Sequence, residues 1–128
     1  MNTLVVTLIS FALLVQTMDA APGRVVNLVL PRTLSANEVV WIELKLGAIE
    51  RGAEVEIETK SGKALGVVSP HGIRSGDEAG TYTIPLPHDA ISNKRVSLRL
   101  TLTHGRAKRA PTTKEVKSVR LKITAPVR

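Results

Sequence analysis

The side chains best suited to acid, base or nucleophilic chemistry lie between Val68 and Asp89, in the stretch VSPHGIRSGDEAGTYTIPLPHD. Ser69, His71 and Asp77 supply the residue types of a hydrolytic triad, in which a histidine activates a serine hydroxyl and an acid orients the histidine. An extended Ser-Pro-His segment does not aim the imidazole at the hydroxyl, and the G-x-S-x-G turn is missing. Because glycines and prolines interrupt the stretch, we predict a loop and no enzyme.

Metal ligands are present in the same region, but their spacing does not indicate a metal site. His71, His88 and His104 lie singly, without the short repeats typical of zinc ligands. Asp77 and its acidic neighbours do not follow the spacing of a calcium-binding loop. The chain has no cysteine, which removes thiolate ligands and nucleophiles. We therefore predict neither a metal nor another cofactor.

The first twenty residues, MNTLVVTLISFALLVQTMDA, have the composition of a signal peptide. Their apolar stretch from Leu4 to Val15 has the length of a signal-peptide core and is short for a membrane span. A retained anchor and an ordinary buried segment are the alternatives. The sequence thus predicts a signal peptide over 1–20, a mature domain over 21–128, and a periplasmic or extracellular location without a stable transmembrane span.

Cleavage of the predicted signal peptide can be tested on the exported protein. Protein recovered from an exporting cell is expected to begin at or near Ala21, because small residues at Ala20 and Ala21 follow the apolar stretch. Intact-mass spectrometry checks this. A mass that still includes residues 1–20 would contradict cleavage and favour an anchor.

Alternating apolar and polar residues dominate the rest of the chain. Such alternation over short runs rich in β-branched residues, bounded by Gly, Pro, Ser or Asn, predicts strands. The runs are 25–30, 38–46, 53–60, 63–68, 81–86, 95–103 and 117–124. Ser35 to Glu38 matches a helix capping box, but the run that follows it alternates, so we predict a strand there. The fold class is all-β, a single antiparallel β-sandwich of about seven strands.

The segment EAGTYTI, Glu78 to Ile84, resembles the D-x-G-x-Y-x-C segment of immunoglobulin domains. Gly80 and Tyr82 match that pattern, whereas Ile84 replaces the cysteine. The resemblance implies an immunoglobulin-like sandwich in which the tyrosine hydroxyl binds backbone. It also implies that the third, sixth and last strands share one sheet, although two strand-like runs after Tyr82 would place this tyrosine on the fifth strand.

Charge is unevenly distributed along the chain. Residues 94–128 carry eleven Lys and Arg against a single acid, Glu115. With an immunoglobulin-like order, outer-face acids of the third strand would pair with outer-face cations of the last two strands. The acids are Glu54, Glu56 and Glu58, and the cations are Arg99, Arg120 and Lys122. The cations left over in the connecting loop form a candidate anion-binding set: Arg106, Lys108, Arg109 and Lys114.

These features favour an exported, non-enzymatic β-sandwich that acts as a binding or structural accessory module. The alternative is a module that binds an anionic surface, either a polyanion or lipid headgroups, through the basic C-terminal hairpin. The partner would be another protein or an anionic surface polymer, with Trp41 as a candidate interface residue. No nucleic acid is expected, because Trp41 and Tyr82 are too few aromatics for a base-stacking platform.

Overall fold

Two antiparallel β-sheets make up the computed structural model, which describes residues 22–125. The predicted signal peptide lies outside the described residues. The strands are β1 (Arg24–Val29), β2 (Val39–Leu46), β3 (Glu54–Thr59), β4 (Ala64–Val68), β5 (Gly80–Leu86), β6 (Arg95–His104), β7 (Ala107–Arg109) and β8 (Val116–Thr124). Sheet A has the order β1-β6-β3-β4, with β7 also paired to β6, and sheet B has the order β5-β2-β8.

The predicted all-β class and the seven predicted strands are confirmed to within a residue or two at each end. The three-residue strand β7 was not predicted, because so short a run carries no readable alternation. The only helical segment in the described residues is one 3₁₀ turn, His88–Ala90. Ser35 to Glu38 forms a turn immediately before β2, as the alternation indicated. No helix within residues 22–125 is long and apolar enough to cross a membrane.

The core lies between the two sheets and is built from the apolar positions of the alternating strands. Ile42 and Leu44 of β2, and Leu98 and Leu100 of β6, are fully buried. Burying an aliphatic side chain of this size contributes roughly 1.5–3 kcal/mol relative to leaving it exposed. Leu121 of β8 is only partly buried at the margin of this core. The buried and outer faces of β2, β3 and the first part of β6 alternate as predicted, whereas Thr101 and Thr103 on the outer face of β6 are buried.

The position of the last strand differs from the immunoglobulin-like order. β8 pairs with β2 in sheet B, because β1 and β7 occupy the free side of β6 that the last strand would have used. Arg120 on β8 consequently pairs with Glu43 on β2 at 2.8 Å, not with the acids of β3. Arg99 on β6 does pair with an acid of β3, Glu58, at 3.6 Å. The predicted acid-to-base pairing is right for Arg99 and wrong for Arg120 and Lys122, both of which lie on β8 in the other sheet.

Tyr82 makes the backbone hydrogen bond that its sequence context implies. Its hydroxyl donates to the carbonyl of Ala79 at 2.7 Å. The tyrosine lies on β5, at the edge of sheet B, as the two later runs indicated. The bond fixes the point at which the β4–β5 connection enters sheet B.

Candidate functional site

Four connections meet at one end of the sandwich, which we call the loop end. They are the β2–β3 connection (47–53), the β4–β5 connection (69–79), the β6–β7 turn (105–106) and the β7–β8 connection (110–115). Gly47 joins two of them to β2, since its N–H donates to the carbonyl of Glu115 and its carbonyl accepts from the N–H of Ala79. His104 joins the β6–β7 turn to the β2–β3 connection through Glu50 and the carbonyl of Arg51.

The β7–β8 connection is ordered around the carboxylate of Glu115. Arg109 donates to both oxygens of this carboxylate, each at 2.7 Å. The N–H of Thr112 donates to Glu115, and the N–H of Glu115 donates to the Thr112 hydroxyl. These are the reciprocal bonds of a capping box, although a strand, not a helix, follows them. Arg109 is therefore engaged in holding this turn.

A similar arrangement occurs before β2, although there the N–H of Glu38 donates to the carbonyl of Ser35 instead of its hydroxyl. Arg32 donates to both oxygens of Glu38, at 2.6 and 2.5 Å, and the N–H of Ser35 donates to the same carboxylate. Both turns follow the pattern R-x-x-[ST]-x-x-E-V and lead into adjacent strands of sheet B. This repeat was not predicted from the sequence. The glutamate is needed in both because charge-assisted, bidentate bonds from arginine fix a turn more firmly than neutral ones.

The two glutamates titrate far below their usual range. The hydrogen bonds from Arg109 and from the N–H of Thr112, opposed by partial burial, lower the pKa of Glu115 from its ordinary value of 4.5 to about 2. The bonds from Arg32 and from Ser35 likewise lower the pKa of Glu38 to about 2. In each case the folded protein holds the charged form.

Stability is therefore expected to depend on pH. A carboxyl group whose pKa is depressed on folding stabilises the protein above its unfolded pKa, and this contribution disappears as the pH falls through the folded value. We expect the stability to decline as the pH falls from about 5 towards about 2. Thermal unfolding measured across that range tests this. The loss should be smaller in Glu115→Gln, and an equal loss in parent and variant would contradict the assignment.

The four candidate anion-binding residues occupy different environments. Arg109 is held by Glu115, and Lys108 lies 4.0 Å from Glu56 on β3. Arg106 and Lys114 are exposed, and neither forms an ion pair with another described residue. The set therefore divides into two cations with carboxylate neighbours and two that project freely from the loop end.

A cleft of about 500 Å³ lies beside these loops, between the β2–β3 and β4–β5 connections. Apolar side chains such as Ile49 and Ile73 line it together with two arginines, Arg51 and Arg74. Both arginines are exposed and lack a carboxylate partner among residues 22–125. This cleft was not predicted from the sequence, because its two walls are about 20 residues apart in the chain and meet only in the folded sandwich.

Ser69, His71 and Asp77, the residue types of a hydrolytic triad, line this cleft but do not form a triad. The hydroxyl of Ser69 donates to the carboxylate of Glu54 on β3, not to His71. His71 and Asp77 are exposed on the same wall, and the Asp77 N–H closes a turn onto the carbonyl of Arg74. In the described part of the chain, no three His, Asp or Glu side chains come together as metal ligands.

Arg51, Arg74, Arg106 and Lys114 are hereafter the loop-end cations. They come from all four connections, and the contact of His104 with the β2–β3 connection brings the turn that carries Arg106 to the side of the cleft. None of these four cations forms an ion pair with another described residue, although the carboxylates of Glu50, Glu54 and Asp77 also line the cleft. An anion approaching the loop end therefore meets these four cations together with the acids of the cleft, of which Glu50 is paired with His104.

Trp41 lies away from the loop end, on the outer face of sheet B. The strand register sets it between Pro85 on β5 and Lys122 on β8, where it is half-buried. Its indole N–H donates to the hydroxyl of Thr124 at 2.9 Å. Its polar atom is thus satisfied within the chain, whereas the remaining exposed part of the ring could contact a partner.

Comparison with protein-family models, with curated proteins and with solved structures found no significant match to this chain.

Proposed function

We propose that this protein is an exported, non-enzymatic β-sandwich module that binds an anionic polymer through its loop end. The observation that carries the proposal is the set of loop-end cations, which separate connections bring to one end and which have no carboxylate partner among the described residues. This set differs from the cations predicted in the C-terminal hairpin, because it includes Arg51 and Arg74 beside the cleft. The predicted signal peptide supports a periplasmic or extracellular location.

The chemistry of the loop end favours a ligand that carries repeated negative charges. Arginine presents a planar fork of donors that matches carboxylate, sulfate and phosphate groups. Several exposed cations on one surface attract a polyanion more strongly than a single small anion, because each contact releases counterions. With Trp41 distant and Tyr82 bonded to the backbone, base or sugar stacking contributes little. Binding would be mainly electrostatic.

The non-enzymatic part of the proposal is supported by the partners of the reactive side chains. The hydroxyl of Ser69 is committed to Glu54, so a nearby histidine does not activate it. The relation to immunoglobulin-like domains is also part of the proposal. It is supported by the two packed sheets and by the hydrogen bond of Tyr82. The fold differs from the immunoglobulin-like order in its last strand, β8, which lies in sheet B.

A structural accessory role with a protein partner is the second candidate. It is favoured by Trp41, whose half-buried ring lies on the open outer face of sheet B between Pro85 and Lys122. Aromatic residues of this kind are enriched at protein interfaces. The two candidates differ in their response to salt, since an aromatic contact is much less sensitive to ionic strength than a polyanion contact.

Binding to immobilised heparin tests the proposal directly. The exported protein is expected to be retained at about 50 mM salt and released well before 1 M, because counterion release makes polyanion binding salt-dependent. Vesicles containing anionic lipid, assayed alongside, distinguish a polymer ligand from a membrane surface. Absence of retention on either matrix at low salt would reject the anionic ligand and leave the protein-partner role.

A further inference from the structure

Strand β1 is an edge strand of sheet A. It pairs with β6 on one side, and no strand among the described residues pairs with its other side. Edge strands expose a row of unpaired N–H and C=O groups, and most proteins protect them with lysine, proline or a bulge. Between Val25 and Val29, the sequence VVNLV contains none of these.

The direction of the backbone groups along β1 follows from one hydrogen bond. The N–H of Leu30 donates to the carbonyl of Lys94 at 2.7 Å, so Leu30 faces β6. In an antiparallel ladder, alternate residues direct both of their backbone groups to the same side. Val26 and Leu28 therefore face β6 as well. The N–H and C=O groups of the residues between them, at 25, 27 and 29, point away from the sheet.

The β3 side of β6 confirms this assignment independently. The N–H of Lys60 donates to the carbonyl of Ser97, so Ser97 faces β3. Its neighbours Val96 and Leu98 must then face β1, where the register places them opposite Leu28 and Val26.

The outward-facing residues also carry exposed side chains. Val25 is 39% exposed and Val29 is 64% exposed, which makes them two of the four exposed large hydrophobic residues in the described part of the chain. Asn27 lies between them, and its carbonyl oxygen accepts a hydrogen bond from the hydroxyl of Ser97 at 2.6 Å. This bond leaves both amide protons of Asn27 available for another acceptor.

The pattern around Asn27 reads the same in both directions. Valines flank it at positions 25 and 29, and aliphatic residues flank it at 26 and 28. We propose that β1 pairs antiparallel with β1 of a second copy of this chain, with Asn27 on the two-fold axis. Asn27 then faces Asn27 of the other copy, and each Val25 faces a Val29. A two-fold axis requires such self-complementarity.

In this pairing, the outward-facing N–H and C=O groups of residues 25, 27 and 29 all form hydrogen bonds. Residues that face each other as hydrogen-bonded pairs exchange two N–H to C=O bonds, so three such pairs would give about six backbone bonds. Two sheets A would join into one continuous sheet, with a Val25–Val29 contact on its outer face on each side of the Asn27 pair. The area is smaller than that of a permanent dimer, so we expect dissociation in the micromolar range or weaker.

The test is sedimentation velocity of the exported protein between about 1 µM and 1 mM, a range that spans the expected dissociation. The mass is expected to rise from monomer to dimer, and the amides of Val25, Asn27 and Val29 should become protected from hydrogen exchange as it does. Asn27→Pro should remain folded and monomeric, because it removes an outward-facing N–H and, of the contacts with β6, only the side-chain hydrogen bond from Ser97. A parent that stays monomeric, or an Asn27→Pro variant that dimerises as well as the parent, overturns the proposal.

A charge-exchange experiment tests the symmetry axis. Asn27→Lys and Asn27→Glu each place like charges directly opposite one another, so each alone should dimerise up to about fivefold more weakly than the parent. An equimolar mixture of the two should recover dimerisation, since Lys then faces Glu. If β1 instead exchanged between copies to pair with β6, position 27 would not face itself. Neither single variant would then weaken dimerisation and mixing would have no effect, which contradicts the proposal.

Discussion

Leu100→Ala is expected to lower the free energy of unfolding by about 2–5 kcal/mol. Leu100 is fully buried on the inner face of β6, and its strand lies between β1 and β3 in the middle of sheet A. Truncation removes apolar contacts from both layers and leaves a cavity that the paired strands on either side cannot close. Thermal or denaturant unfolding of the exported protein measures the loss.

The neighbouring outer-face residue provides the matched control. Arg99 makes a 3.6 Å ion pair with Glu58 and a marginal hydrogen bond to the carbonyl of Lys60. Because ion pairs at the protein surface contribute little even when half-buried as here, Arg99→Ala should cost less than about 1 kcal/mol. Equal losses from Leu100→Ala and Arg99→Ala would show that the inner and outer faces of β6 have been assigned wrongly.

Gly47→Ala is expected to destabilise the protein by about 3 kcal/mol, at the upper end of typical overpacking costs. A Cβ atom at this position would lie 2.1 Å from the carbonyl oxygen of Lys114. That oxygen belongs to backbone, so it can move away only if the hydrogen bond from Gly47 to Glu115 is strained. The substitution should therefore disturb the turn that carries Lys114 as well as the end of β2.

Gly105→Ala is a suitable control for this effect. Gly105 also lies at the loop end, but no atom lies within 4 Å of its potential Cβ position. Its φ of +62° lies in the left-handed region, where a side chain costs about 1–2 kcal/mol. Gly47→Ala should be the more damaging of the two. If it is tolerated as well as Gly105→Ala, the close approach of β2 to the β7–β8 connection is wrong.

The sequence was sufficient to predict the strands, because period-two alternation reports directly which face of a strand is buried. In β6, for example, it distinguished Leu98 and Leu100 from Arg99. Alternation carries no information about neighbours in a sheet, however. β1 and β7 pair with the side of β6 that does not face β3, and β8 pairs with β2. The residues of β8 do not indicate this arrangement, so the pairing of Arg120 was predicted wrongly.

The arrangement of side chains at the loop end was also not predictable from the sequence. The turn around Glu115 was not predicted, because the spacing of a capping box does not show that an arginine three residues before it binds the glutamate. The structure shows that Arg109 donates to both carboxylate oxygens of Glu115. Arg109 is therefore not among the cations that are free to bind an anion. Arg51 and Arg74 were not identified because their association depends on the packing of two loops that are distant in the chain.

The central claim is that the loop-end cations bind an anionic polymer. The most direct measurement compares heparin retention of two variants that lose the same charge. One variant carries Arg51→Gln, Arg74→Gln, Arg106→Gln and Lys114→Gln. The control neutralises four exposed cations away from the loop end, none of them ion-paired with another described residue: Lys60, Lys94, Arg95 and Lys122.

If binding is local to the loop end, the first variant should lose most of its salt-sensitive retention, whereas the control should elute close to the parent. Both should unfold at temperatures near that of the parent, since substitutions of exposed, unpaired side chains contribute little to stability. Equal weakening of the two variants would mean that net charge alone drives retention. A loop-end variant that binds as well as the parent would contradict the claim outright.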